Sequence, residues 1–289
     1  MKKLDKGKMK LFGAAVLTLV VTVSMTYKLD NDWKEDGLRG KVKSHTRFSY
    51  EVEYYFDDIK KGKRKYSEYD KDFQIKYDTN GNRIERIYYS SDGSIDSKVT
   101  YKYDTNGNRI ENNTYDSDGS LRRRYTYKYD TNGNKIGEKS FNSDGSLLAK
   151  NTNKYDTNEN RVETTCYKPD GRLRSRFASK YDTNGNEIEW IMHIKSGSID
   201  SKVTYKYDTN GNRIERISYE DGSLFAKTTY KYDTNGNKIE NNRYIFDVNL
   251  DEKFTYKYNY DQIGNWTKRT EYKNGIAKTI TERKIVYYP

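Results

Sequence analysis

Apolar and polar residues alternate along most of this chain in short stretches, and tight-turn signals separate the stretches. In residues 99–103 (VTYKY), valine and two tyrosines share one face of an extended strand, while threonine and lysine share the other. Asp92-Gly93 and Asn106-Gly107 bound this stretch, and both pairs favour a type I′ turn because they tolerate positive φ. The pattern predicts antiparallel strands of roughly 8–10 residues, each with an aromatic face and a charged face.

The turn after every second strand repeats the residues Tyr-Asp-Thr-Asn-Gly-Asn. Seven copies occur, five of the six steps between them are 26 residues and one is 25, and the fourth copy has Glu159 in place of glycine. The copies begin at Tyr77, Tyr103, Tyr129, Tyr155, Tyr181, Tyr207 and Tyr232, and a looser eighth begins at Tyr260. A fixed period of this length indicates a stack of one supersecondary unit, in which each unit contacts mainly its neighbours. Glu159 should strain its turn, since glutamate disfavours positive φ.

We therefore predict an all-β chain of tandem β-hairpin repeats that form a long twisted or spiralling antiparallel sheet. Isoleucines such as Ile84 and Ile110 are expected between the tyrosines of next-but-one strands. Four segments follow: an N-terminal signal or anchor helix at residues 1–27, irregular N-terminal cap strands at 28–73, hairpin repeats at 74–258, and a C-terminal capping repeat at 259–289. The open edges of such a sheet favour self-association.

Residues 1–27 have the layout of an export signal. Lysines crowd the first ten residues, an apolar run of 13 follows at 11–23, and Thr22 and Ser24 suit a cleavage site. A membrane span needs about 20 apolar residues, so a cleaved signal is expected first and an uncleaved anchor is the alternative. We predict a secreted, periplasmic or cell-surface protein that contacts a membrane only if this segment stays attached.

Composition and charge narrow the function classes. Only 33% of the residues are hydrophobic, but 30 are tyrosine, whose ring can cover a half-exposed sheet without a deep core. The net charge of +11 is dispersed among lysines, arginines and acids, which is typical of a solvated face and argues against a nucleic-acid partner. The single cysteine, Cys166, excludes an internal disulfide.

Catalytic and metal chemistry have little support in the sequence. Acidic pairs recur with the period, whereas an active site would occur once, so we expect no catalytic residues and no cofactor. Asp78, Asn80 and Asn82 place oxygens as a calcium loop does, but Gly81 is not at that loop's glycine position. We interpret the motif as a turn and expect no metal.

Tyrosine rows flanked by lysine, arginine and asparagine suit stacking on sugar rings, and equally suit packing within the sheet. Trp190 lies in a stretch that departs from the other repeats. The candidate ligand-binding residues are Tyr101, Tyr103, Tyr127, Tyr129, Tyr205, Tyr207 and Trp190.

The Tyr-Asp-x-x-Gly-Asn core carried by Tyr77, Asp78, Gly81 and Asn82, and repeated over about residues 70–265, resembles the YD repeats of RHS-type proteins. The tail from Asn259 is similar to the closing unit of exported YD-repeat proteins of Bacteroidetes-type bacteria. The resemblance implies a β-sheet that spirals into a shell, often around a C-terminal toxin, with carbohydrate or surface contact in some members. This chain has a longer unit and no toxin segment, so we expect no toxin delivery.

Together these features predict an exported, non-enzymatic repeat scaffold for surface or extracellular interaction, with a glycan or a surface protein as partner. The alternative is a structural envelope or spacer protein without a specific ligand. A hydrolase of cell-surface polymers is a minor alternative.

Overall fold

The computed structural model describes residues 31–56, 58–67, 71–194, 199–246 and 248–289. The described residues form one helical turn, α1 (Asp32–Glu35), and a 19-stranded antiparallel sheet. The strands are β1 Val42–Tyr55, β2 Asp58–Arg64, β3 Phe73–Tyr77, β4 Arg83–Tyr89, β5 Ile95–Tyr103, β6 Arg109–Asp116, β7 Leu121–Tyr129, β8 Lys135–Asn142, β9 Leu147–Tyr155, β10 Arg161–Tyr167, β11 Leu173–Tyr181, β12 Glu187–Ile194, β13 Ile199–Tyr207, β14 Arg213–Glu220, β15 Ser223–Tyr232, β16 Lys238–Ile245, β17 Leu250–Tyr260, β18 Trp266–Lys273 and β19 Ile276–Tyr287.

The sheet closes on itself through β1. Tyr50 pairs with Ile280 of β19 and with Arg64 of β2, so β2 lies on the edge opposite β19. His45 pairs with β19 and with Ile75 of β3, so β3 shares that edge with β2. Since β2 and β3 occupy one place between them, the 19 strands fill 18 positions of a closed barrel.

Closure corrects the predicted architecture. The chain is all-β and built of hairpins, but the long open or spiralling sheet is wrong, because the first and last strands pair with each other. The edges that an open sheet would offer for self-association are therefore bonded within the barrel. The signal or anchor helix predicted at residues 1–27 lies outside the described residues.

The repeated turns are not of the predicted type I′. In the Asp78–Asn82 turn only Gly81 has a positive φ, 89°, and its N–H donates to the Asp78 carbonyl at 3.1 Å. This is a type I turn that ends in a left-handed glycine. Glu159 takes the same conformation with a φ of 64°, as its place in the fourth motif predicts.

Two-residue turns with two positive φ values occur at Asn274 (49°) with Gly275 (82°) and at Asp221 (47°) with Gly222 (78°). In the Asp221-Gly222 turn, Glu220 pairs directly with Ser223. This turn is shorter than its counterparts and lies in the one repeat of 25 residues. The repeat is therefore one residue shorter because its turn is of a different type, and the pairing of the strands on either side is kept.

The two faces of the barrel wall differ in composition. Ile75, Tyr77 and His45 share the inner face, and each is only 1% exposed. Lysines such as Lys102 alternate with these positions and are exposed. The register places Asn112, and not Ile110, opposite Tyr101. Ile110 is 39% exposed, so the predicted isoleucine layer between the tyrosines is wrong.

Candidate functional site

The aspartate of each motif builds its own turn. Asp78 Oδ1 accepts the backbone N–H groups of Asn80 and Asn82, each at 2.9 Å, and Asn82 Nδ2 donates to Asp78 Oδ2 at 2.9 Å. At Asp104 burial raises the pKa, but the equivalent hydrogen bonds from Asn108 and its neighbours hold it below its ordinary value. Both carboxylate oxygens of the motif aspartate therefore accept hydrogen bonds within the turn. Among the described residues, no group of three or more His, Cys, Asp or Glu suits a metal ion.

Most of the motif tyrosines tie neighbouring hairpins together. The Tyr129 hydroxyl donates to the Arg109 carbonyl at 2.8 Å, and the Tyr207 hydroxyl donates to the Glu187 carbonyl at 2.8 Å. The same bond, to the carbonyl 20 residues earlier, is made by Tyr155 and Tyr181. These tyrosines lie on the inner face as a repeating brace, so their hydroxyls have a structural role.

In several repeats, a tyrosine two residues before the motif lies under a cation. Arg109 stacks on Tyr101 at 5.0 Å and Arg213 stacks on Tyr205 at 4.8 Å, measured to the ring centroid. Lys135 lies 5.1 Å from the centre of Tyr127. A cation over a tyrosine face is attracted by the negative face of the ring. The predicted tyrosines therefore form an inner aromatic layer capped by cations.

Trp190 lies in another part of the barrel. Its ring stacks on Phe177 with centroids 5.3 Å apart and an interplanar angle of 22°. It lines a cavity of about 310 Å³ together with Arg216 and Arg243. The seven predicted residues therefore do not form a single site.

A short segment at residues 31–41, the cap segment, crosses the barrel end that carries the Asn-Gly turns, which we call the Asn-Gly mouth. Asp32 is 5% exposed. Its carboxylate accepts from Tyr103 and from Arg109 Nη2, both at 2.6 Å, and from the Arg83 backbone N–H at 2.7 Å. Further along, the Arg39 N–H donates to Asn265 Oδ1 at 2.8 Å. The cap segment thus contacts both sides of the β1 seam.

Asp36 makes the second acidic contact of the cap segment. Its carboxylate pairs with Arg83 Nη2 at 2.8 Å and accepts a short hydrogen bond from Tyr77. Burial raises the pKa of Asp36, but the bonds from Arg83 and Tyr77 outweigh burial and keep that pKa below its ordinary value. Sequence reasoning missed this segment. Its detectable signal was Asn31 as a helix N-cap before the acidic run 32–36.

The cap segment and two motif turns enclose the larger cavity, of about 880 Å³. Three of the predicted residues meet there: Tyr103, Tyr127 and Tyr129. Its other lining residues are Asn31, Asp32, Glu35, Asn82, Thr105, Asn106, Gly107, Asn108, Arg109, Asp130, Thr131, Asn132, Gly133 and Lys135. The cavity combines aromatic rings with amides, hydroxyls and both signs of charge.

Charge is paired on the outer face of the wall. Glu215 accepts from Lys206 at 2.8 Å and from Lys227 at 2.9 Å. Glu240 does the same with Lys231 at 3.0 Å and Lys253 at 2.9 Å. In this ladder each glutamate lies between two lysines, so each of these charges has a partner of opposite sign.

Charge on the inner face is unpaired at many arginines. With the described residues as partners, several of them make no ion pair within 4.0 Å. They include Arg86, Arg213, Arg216, Arg243, Arg269 and Arg283. The inside of the barrel is therefore basic.

No helix among the described residues has the length and apolarity that a membrane crossing requires.

Comparisons with known proteins add little. No family model matches the chain, and no curated protein matches it. A porin-like protein from Bacteroides uniformis matches at 11% identity with a TM-score of 0.43, over 85% of this chain and 96% of that chain. A porin-like protein from Bacteroides vulgatus matches at 11% identity and a TM-score of 0.38, over 86% and 99%. The Photorhabdus luminescens Tc holotoxin pore matches at 14% and 0.36, over 77% of this chain and 13% of that chain. At these scores we base nothing on the likenesses.

Proposed function

We propose that the chain is an exported, non-enzymatic repeat barrel of the YD-repeat type that binds a glycan at the Asn-Gly mouth. The carrying observation is the cavity of about 880 Å³, which brings Tyr103, Tyr127 and Tyr129 together with the amides of two turns. The lysine-rich start and apolar run of residues 1–27 support export.

The polar groups that would contact sugar hydroxyls are those the fold leaves unused. The motif aspartates already accept hydrogen bonds inside their own turns. At the tips of the turns that line the cavity, the side chains of four residues are exposed: Thr105, Asn106, Thr131 and Asn132. Amide and hydroxyl groups both donate and accept, as sugar hydroxyls do. Glu35, with its side chain 57% exposed, adds an acceptor at the rim.

The charged outer face supports placing the barrel wall in water. Membrane-spanning barrels expose an apolar outer band about 25 Å tall. Here the corresponding face carries the lysine–glutamate ladder around Glu215 and Glu240. Membrane contact is proposed only through the N-terminal segment, where that segment stays attached.

The test is a glycan array probed with the labelled full chain, followed by titration of the best oligosaccharide. We expect the double variant Asn106→Ala/Asn132→Ala to lose affinity at least tenfold. Asn184→Ala/Asn210→Ala removes amides from the same place in two motifs that do not line the cavity, and should bind as the wild type does.

Equal loss in both double variants, or binding unchanged in both, would rule out the mouth cavity as the site. An array without any bound glycan would favour the spacer function. Release of shorter sugars from the bound oligosaccharide would favour the hydrolase.

A further inference from the structure

Four arginines that do not line the glycan cavity lie on the inner face at and near the β1 seam. Arg283 of β19 lies directly opposite Arg47 of β1. Arg47 and Arg86 both stack on the ring of Phe73, at 4.5 and 4.3 Å from its centroid. We call Arg47, Arg86, Arg269 and Arg283 the arginine cluster.

Trp266 holds the other half of the arginine cluster. Arg283 lies 3.7 Å from the centre of the Trp266 ring and Arg269 lies 5.7 Å from it. Arg269 pairs in register with Thr281, two residues before Arg283. Each of the two aromatic rings thus packs against two guanidinium groups and supports their planes.

Several donors of the cluster have no acceptor in the described protein. Arg86 Nε, Arg269 Nε, Arg283 Nε and Arg283 Nη1 are buried atoms that make no hydrogen bond. Asp36 is the acid that acts electrostatically on Arg283, but Arg83 and Tyr77 already bind its carboxylate. Buried charges in proteins are normally paired, because an unpaired one loses its hydration without compensation.

The electrostatics show that the cluster repels further positive charge. Burial lowers the pKa of Arg283 to about 10, and Arg269 and Arg47 act in the same direction. Burial also lowers the pKa of His45 to about 3, and Arg283 and Arg86 contribute to the decrease. At neutral pH, His45 is therefore uncharged in the presence of the charged Arg283 and Arg86.

We propose that the arginine cluster is a binding site for an oxyanion, namely the carboxylate, sulfate or phosphate group of a ligand that enters the barrel. Guanidinium groups present paired N–H donors at the spacing of two oxygens on such a group, so one anion satisfies several donors at once. This site and the glycan cavity consist of different residues and would bind different chemical groups. The proposal of anion binding therefore does not depend on glycan binding.

The experiment is isothermal titration of the full chain with sodium sulfate, sodium phosphate and sodium acetate, at an ionic strength held constant with sodium chloride. We expect binding of at least one anion at one site per chain. Arg283→Gln and Arg86→Gln, each checked for an unchanged circular dichroism spectrum, should each weaken it at least tenfold. Which of the three salts binds most tightly identifies the ligand group as sulfate, phosphate or carboxylate.

Lys206→Gln is the matched control, since it removes one positive charge from the outer face and should leave anion affinity unchanged. Failure of all three salts to bind the wild type would overturn the proposal. So would an affinity that Lys206→Gln reduces as much as the cluster variants do, because that would show only a response to net charge. If one cluster variant does not fold, the other decides the result. Asn106→Ala/Asn132→Ala should bind the anion normally, which separates this site from the glycan cavity.

Discussion

The outer and inner faces of the barrel wall come from alternate residues of the same strands, yet they manage charge in opposite ways. Outside, Glu215 and Glu240 each bind two lysines, and no ligand is needed to complete them. Inside, arginines such as Arg216 and Arg283 lie over or beside aromatic rings without a carboxylate. The glutamates of the outer ladder are satisfied within the wall and several inner arginines are not, which is why we propose a binding site inside the barrel.

Removing a buried carboxylate of the cap segment should reduce the free energy of unfolding more than any other change to the inner face. Asp32→Asn leaves Arg109 and Arg83 without their shared acid, and breaking such a buried pair costs about 3 kcal/mol. We expect the free energy of unfolding in urea to fall by that amount. Glu35→Gln, whose side chain is 57% exposed, is the control and should change it little. Equal effects of the two changes would mean that the cap segment is not anchored through Asp32.

Acid should weaken the inner face through His45. Because burial lowers the pKa of His45 from 6.5 to about 3, the unfolded chain binds the proton first. Stability from this group is therefore complete above pH 6.5 and falls as the pH drops from about 6.5 to about 3. Urea unfolding across this range should show a steeper decline in the wild type than in His45→Asn, because carboxylates such as Glu240 contribute to the decline in both proteins below about pH 4.5. The same decline in both proteins would exclude His45 as its cause.

Removing one of the tyrosine hydroxyls on the inner face should reduce the free energy of unfolding by a smaller amount. Tyr129→Phe removes the hydrogen bond to the Arg109 carbonyl while keeping the ring, and should cost about 1 kcal/mol of unfolding free energy. Tyr125→Phe changes an inner tyrosine of the same strand that makes no such brace, and should cost less. A larger loss in Tyr125→Phe would show that the brace adds little.

The outer ladder should respond to acid in a lower pH range and more weakly. Hydrogen bonds from Lys253, Lys231 and Asn242 lower the pKa of Glu240 from 4.5 to about 2. Its stabilisation is complete above pH 4.5 and disappears as the pH falls from about 4.5 to about 2. Glu240→Gln should differ from the wild type by less than about 1 kcal/mol at pH 6, and by only a small part of that near pH 2. A difference as large at pH 2 as at pH 6 would contradict the assigned pKa.

The sequence predicted the repeat, the antiparallel hairpins and the common face of the tyrosines, because these depend on local periodicity. It did not predict closure. Pairing of His45 with Ile285 joins residues at opposite ends of the chain, and no local pattern encodes such a contact. The turn type was also wrong, since Asp78 side-chain bonds stabilise a type I turn that needs only one left-handed residue, Gly81.

The site was only partly predictable. Tyr103, Tyr127 and Tyr129 were selected from alternation and do line one cavity. The arginines could not be selected, because the sequence shows an arginine's place in the period but not whether an acid reaches it. Arg216 and Lys206 look alike in the sequence, but only Lys206 meets a glutamate.

The most direct test of the central claim is the free energy of unfolding in chloride buffer without oxyanions, for two charge-matched double variants of the full chain. Arg269→Gln/Arg283→Gln removes two unpaired inner charges, and Lys206→Gln/Lys231→Gln removes two paired outer charges. We predict that the inner variant is as stable as the wild type or more stable, while the outer variant is slightly less stable. An inner variant that is clearly less stable than the outer one would contradict the claim that the inner face is incomplete without a ligand.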